Sequence, residues 1–157
     1  MKKGITALII GFLLSFNAEA SMISFFVIET GLPREGGANQ HSQRWENAFM
    51  DVFFDEGHIV SNSPIQRLIS KSSDDIQREI SMHIEEARDG GIDYALITQL
   101  DFNADFVPCG ISFFIYRVTP QEKVFERRFT GRSYRSSRDE VDDLKTIARG
   151  LIPYIGE

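Results

Sequence analysis

Arg127, Arg128, Arg132, Arg135 and Arg138 fall within twelve residues that contain no acid. The chain as a whole carries 17 basic and 23 acidic side chains, so this stretch runs against the average. Arginine presents a planar fork of donors that suits bidentate contact with carboxylate or phosphate. The segment is therefore a candidate face for a partner or an anion. The alternative is a solvated strand and loop whose arginines pair with Glu126, Asp139 and Glu140.

A second candidate is the polar, Gly-rich run Glu35-Gly36-Gly37-Ala38-Asn39-Gln40-His41. It follows an apolar segment that reads as the first strand, and in open α/β sheets ligands bind beyond the carboxyl ends of strands. Glu35, Asn39 and His41 are its polar candidates for a ligand or partner. It lacks the G-x-G-x-x-G spacing and no P-loop lysine follows, so nucleotide binding is not supported. An ordinary connection between strand and helix is the other reading.

Other chemistries find less support. Asp101-Phe102-Asn103-Ala104-Asp105 matches the opening of a calcium loop, but Phe106 and Ser112 stand where an EF-hand requires glycine and glutamate. A turn between two strands is the simpler expectation. His41, His58 and His83 show no spacing of a structural zinc site, and His83 sits on an apolar helical stripe. Cys109 is the single cysteine, so no disulfide forms within the chain. It would need a neighbouring histidine to act as a nucleophile. No G-x-S-x-G occurs. No catalytic residue, metal site or cofactor is assigned.

The elements that position these residues are legible from periodicity. Met22 to Glu29 is β-branched and aromatic, a buried strand. Trp45, Ala48, Phe49, Val52 and Phe53 share one helical face, with Ser42 as the expected cap and Gly57 as the left-handed stop. His58 to Asn62 is a short strand, stopped by Ser63-Pro64. Ser72 or Ser73 caps a second helix striped by Ile76, Ile80, His83, Ile84 and Ala87. Strands follow at Tyr94 to Phe102, Ile111 to Thr119 and Lys123 to Gly131, with Phe113, Ile115, Phe125 and Phe129 on one core face. Ser137-Arg138-Asp139-Glu140 reads as a capping box before a last helix bearing Val141, Leu144, Ala148, Leu151, Ile152 and Ile155.

The fold class is α/β, in the order β-α-β-α-β-β-β-α. The two strand–helix–strand units predict parallel N-terminal strands with right-handed crossovers. The last three strands predict an antiparallel meander, giving a mixed sheet with helices packed on it.

The N-terminus points to export. Met1-Lys2-Lys3 precedes the apolar run Ile5 to Phe16, and Ala18-Glu19-Ala20 is an A-x-A cleavage site. Residues 1–20 are thus expected to be a signal peptide and 21–157 a single α/β domain. No cysteine follows the cleavage site, so the lipobox of a lipoprotein is missing. Without Lys2, Lys3 and Glu19 the chain keeps 15 basic and 22 acidic side chains, a net of −7. Such a charge disfavours nucleic acid. No later segment reaches the ~18 apolar residues of a membrane span.

One resemblance follows from this layout. A strand, an amphipathic helix, Gly57-His58-Ile59-Val60, a second helix and Gly91-Ile92-Asp93-Tyr94-Ala95-Leu96 occur in that order. The arrangement resembles a small envelope domain. That domain occurs in the curli-secretion lipoprotein, in lipoprotein activators of penicillin-binding proteins, and in the N-terminal part of the Tol-system propeller protein. The resemblance covers most of residues 22 to 131 and implies a non-catalytic domain that docks to other envelope proteins. It transfers no catalytic residue. The missing lipobox and the Gly-rich loop depart from the pattern.

The expected function is a periplasmic or secreted accessory module of the bacterial cell envelope, docking to a protein partner or an anionic envelope component. The alternatives are a small hydrolase using the 35–41 loop and a periplasmic small-ligand carrier. The oligomeric state is not readable from the sequence.

Overall fold

A computed structural model describes residues 20–33, 35–69 and 72–156. The expected signal peptide lies outside them except for Ala20. Among these described residues six strands and three helices follow one another as β1 (Met22–Thr30), α1 (Gln40–Asp55), β2 (Ile59–Asn62), β3 (Gln66–Leu68), α2 (Ser73–Asp89), β4 (Tyr94–Phe102), β5 (Pro108–Arg117), β6 (Glu122–Thr130) and α3 (Ser137–Arg149). A short 3-10 turn at Ile152–Tyr154 follows α3 and accommodates Pro153. Among the described residues no helix is long and apolar enough to cross a membrane.

The strands form one sheet in the order β2-β1-β4-β5-β6, with β3 beside β1 beyond β2. β1 pairs in parallel with β2, β3 and β4. β4, β5 and β6 form the antiparallel meander. The mixed sheet expected from the element order is thus present. β1 and β4 are its central strands, buried on both faces. That explains why each reads as a continuous apolar run and not an alternating one.

β3 is an addition to the expected order. Pro64 interrupts the edge, so β2 covers the start of β1 (Met22 to Phe25) and β3 its end (Ile28 to Thr30). Three residues, Gln66-Arg67-Leu68, carry no periodic signal. An edge broken in this way also resists pairing with another chain.

Each face of the sheet has its own core. On one, α1 and α3 cover Ile23, Phe25, Leu96, Leu100, Phe113 and Ile115. Phe113 packs against Trp45, Phe49 and Phe129 at ring separations of 5.0, 5.3 and 5.6 Å. Each such aromatic pair adds ~0.5–1.5 kcal/mol beyond its buried area. On the other face α2 alone covers Phe26, Ile28, Ala95, Ile97, Phe114 and Tyr116 through Ile80, Ile84 and Ala87. The register places Ile111 opposite Phe129 and Ile115 opposite Phe125, which puts the predicted aromatic face of the meander on the first core.

Two helix starts differ from expectation. α1 is capped by Asn39, whose Oδ1 accepts from His41 N at 2.8 Å, and Ser42 is buried within the first turn. α3 is capped by Ser136, whose Oγ accepts from Asp139 N at 3.1 Å. The predicted box is therefore displaced by one residue, and Glu140 is released from capping to turn inward, where it is 1% exposed. β5 also begins earlier than expected, so Pro108 and Cys109 belong to the strand and not to a turn. Gly57 ends α1 as predicted, with φ +90.

Candidate functional site

β1 runs into α1 through residues 31–39, β3 into α2 through 69–72, and β6 into α3 through 131–136. β3 and β4 are parallel to β1, and two antiparallel steps bring β6 parallel to it as well. All three helices therefore begin at the same end of the sheet, where these strands finish. That is the end at which open α/β sheets bind ligands. The Gly-rich loop and the arginine segment, about 100 residues apart in the chain, both arrive there.

The Gly-rich loop is built around one guanidinium. Glu29, 1% exposed near the end of β1, accepts Arg67 Nε and Nη2 on one carboxylate oxygen at 2.8 and 2.6 Å. Its other oxygen accepts Asn39 N at 2.7 Å. Arg67 also donates to the carbonyls of Pro33, Glu35 and Gly37, at 3.0, 3.3 and 2.8 Å. Three inward-facing carbonyls require a tight path, and Gly36 supplies it with φ +113. The Glu35 residue is exposed, and its backbone, not its carboxylate, does this bonding. Asn39 caps α1 and reaches the Phe106 carbonyl with Nδ2 at 3.4 Å.

His41 is one turn of chain further on. Its Nδ1 lies 2.5 Å from Glu140 Oε1, and Arg44 Nη1 lies 2.7 Å from Oε2. This buried carboxylate ties the start of α1 to the start of α3. A carboxylate that orients an imidazole is half of a general-base constellation. The other half would be a nucleophile on Nε2, and among the described residues no hydroxyl or thiol hydrogen-bonds that nitrogen.

Strand alternation divides the arginines. Arg127 lies opposite Phe113 and its guanidinium stacks 4.8 Å from the Phe129 ring centroid, on the α1/α3 side. Arg128 lies opposite Ser112 and lines a groove with Phe114 and Tyr116, on the α2 side. Arg132 donates to both oxygens of Asp143, at 2.8 and 3.0 Å. Arg135 and Arg138 are exposed. Among the described residues no carboxylate lies within ion-pair distance of Arg127, Arg135 or Arg138. The expected pairing with local acids is thus realised for Arg128 with Glu126, at 3.4 Å, while Arg132 pairs with an acid of α3.

The two candidate segments meet at one cavity of about 350 Å³, open to solvent and lined by His41, Arg44, Arg132, Ser133, Tyr134 and Glu140 among others. Tyr134 donates to Asp143 Oδ2 at 2.8 Å. Burial, and then the hydrogen bond to that carboxylate, push its phenol far up, so it stays protonated and acts as a strut.

The remaining sequence candidates lie outside this cavity. Asp101 accepts from Thr30 Oγ1 and from Gln99 Nε2, the latter at 2.9 Å. Asn103 Oδ1 accepts from the amides of Asp105 and Val107, both at 3.0 Å, so the Asp101 to Asp105 run turns the chain. Among the described residues no group of three or more His, Cys, Asp and Glu could hold a metal ion. Cys109 is exposed, and its thiol donates to the Asp101 carbonyl at 3.2 Å. His83 is buried between Phe26, Ser24 and Ser63, where desolvation lowers its pKa to about 4.

Sequence reasoning passed over Glu29, Arg44, Arg67 and Glu140 as site-builders. Glu29 had one signal, an acid at the end of an otherwise apolar strand. Arg67 had none.

Comparison with known proteins bears on the fold. A family model described as an uncharacterised protein matches residues 33–109. No curated protein matches the sequence. A variant PelC dodecamer from Paraburkholderia phytofirmans is similar in structure, with a TM-score of 0.50 at 15% identity, covering 88% of this chain and 90% of that one. TolB from Acinetobacter baumannii is similar at a TM-score of 0.50 and 12% identity, over 88% of this chain and 29% of TolB. The LpoB C-terminal domain from Escherichia coli gives 0.43 at 13% identity, over 81% and 94%. The expected likeness to the Tol-system propeller protein is thus met by TolB as a likeness of fold, and the chain shares that fold with PelC.

Proposed function

We propose that this chain is an exported, non-catalytic accessory module of the bacterial cell envelope. It docks onto a protein partner through the end of the sheet where its three helices begin. Residues 1–20 are its signal peptide, residues 21–157 its single domain, and the periplasm its working compartment. The observation that carries the reading is convergence. The Gly-rich loop and the arginine segment were separate candidates, and both border one open cavity, through His41 and Arg132. Arg135 and Arg138 adjoin its lining residues Tyr134, Ser136 and Ser137 in the chain, and they and Arg127 have no carboxylate partner among the described residues. In a chain of net negative charge such arginines favour an acidic partner surface. The fold shared with TolB supports an envelope role. PelC, which shares the fold, is a dodecamer, so self-association is a further outcome to monitor.

The test is a crosslinking pull-down from intact cells, using the chain tagged at Glu157 beside a variant with Arg127, Arg128, Arg132 and Arg135 changed to Ser. A discrete envelope protein captured by the parent and lost in the variant is the expected result. Equal capture by both removes the basic end from the account. N-terminal sequencing of the secreted product should begin at Ser21, and a mature chain retaining Met1 would overturn export.

A second reading rests on the His41–Glu140 pair at 2.5 Å, which would suit a small hydrolase acting at the same cavity. It predicts ester or amide hydrolysis abolished by His41→Ala.

A further inference from the structure

The cavity between the start of α1 and the loop 131–136 has an uneven supply of hydrogen-bonding groups. Its carboxylate acceptors are occupied. Glu140 Oε1 and Oε2 take His41 Nδ1 and Arg44 Nη1, at 2.5 and 2.7 Å. Asp143, behind the rim, takes Arg132 Nη1 at 2.8 and 3.0 Å and Tyr134 OH at 2.8 Å. Its donors are not. Arg132 uses Nη1 alone in these bonds, leaving Nε and Nη2 on a side chain that is 59% exposed. The Ser133 and Ser137 hydroxyls, both lining the cavity, make no hydrogen bond to another described residue. These donors are open to a guest that brings acceptors.

Charge decides which acceptor. Arg44 and Arg132 are each already balanced by a carboxylate, so the surplus is the unpaired positive charge of Arg135 and Arg138, which adjoin the lining residues Tyr134, Ser136 and Ser137 in the chain. An anionic guest is matched by that surplus. The planar guanidinium fork of Arg132 also matches a planar carboxylate.

We infer that this cavity binds a carboxylate group, presented by an acidic peptide segment or chain terminus. The inference deepens the docking reading by naming the group the partner presents, and it is testable on the isolated protein. Isotope-labelled protein is titrated with N-acetylglycine, and in parallel with N-acetylglycinamide and inorganic phosphate, while amide and Arg Nε–H resonances are followed by NMR. N-acetylglycine should give saturable shifts confined to residues 41–44 and 132–140 and to Arg132 Nε–H. The amide should give none, and phosphate should bind more weakly. Arg132→Gln should weaken binding by at least about five-fold, the loss of one charge-assisted bond. Arg132→Lys, which keeps the charge but not the fork, should fall between. Equal shifts from the amide, tighter phosphate binding, absence of saturation, or unchanged affinity in Arg132→Gln would each overturn the inference. A partner still lost in the arginine variant while N-acetylglycine fails to bind would leave docking intact and remove only the carboxylate site.

Discussion

Acidification should weaken this fold through His83 before most carboxylates titrate. The ring is 3% exposed, stacked 4.3 Å from Phe26, with Ser24 Oγ 3.3 Å from Nε2 and Ser63 Oγ 3.4 Å from Nδ1. Burial disfavours the imidazolium and lowers the folded pKa from 6.5 to about 4. The depressed value means that the unfolded chain binds the proton first. His83 therefore leaves stability intact above about pH 6.5 and removes it as pH falls towards 4. The full shift corresponds to roughly 3 kcal/mol, of which about 2 kcal/mol should be gone between pH 7 and pH 5. Urea unfolding of the parent and of His83→Gln at pH 7, 6 and 5 isolates this contribution, because the carboxylates are common to both. The parent should lose about 2 kcal/mol more than the variant over that range. Parallel pH dependences would refute the assignment of a buried neutral imidazole.

Other perturbations follow from the geometry. A Cβ on Gly131 would sit 1.8 Å from the Pro108 carbonyl oxygen, so Gly131→Ala should destabilise by about 3 kcal/mol or prevent folding, read by thermal unfolding. The Glu140 triad should respond asymmetrically. Glu140 is 2% exposed at its side chain, whereas His41 and Arg44 are 25% and 28% exposed. Removing both partners strands a buried carboxylate and should cost roughly 3–5 kcal/mol. Glu140→Gln frees partly solvated side chains and should cost about 1–2 kcal/mol in the same urea assay. Arg67→Met leaves Glu29 unpaired and releases three loop carbonyls. It should destabilise by roughly 3–5 kcal/mol and raise hydrogen exchange across residues 35–39.

Those interactions also mark where the sequence stops being legible. β4 was readable to the residue at both ends, because a long apolar run between Gly91 and Asn103 admits one assignment. The α2 stripe was equally plain, and Ile80, His83, Ile84 and Ala87 are its buried residues. β3 was not, because it is three residues held in place by β1 and not by its own pattern. The caps were misplaced because Asn39, Ser42, Ser136 and Ser137 all have capping side chains. Only the packed helix distinguishes among them. The site shows the same limit. Its loop and its arginines stand out by composition, whereas the bonds that organise them, Glu29 with Arg67 and His41 with Glu140, join residues 38 and 99 positions apart. Period and spacing carry no information at that range.

The central claim is that the end of the sheet bearing the helix starts meets the partner. The most direct measurement places a photo-crosslinking amino acid at Arg135, at that end, and separately at Phe54. Phe54 is 68% exposed in the last turn of α1, about 20 Å along the helix from its start. Irradiation in living cells should yield a discrete envelope-protein adduct from position 135 and none from position 54. An adduct from position 54 alone, or the same adducts from both, would contradict the account.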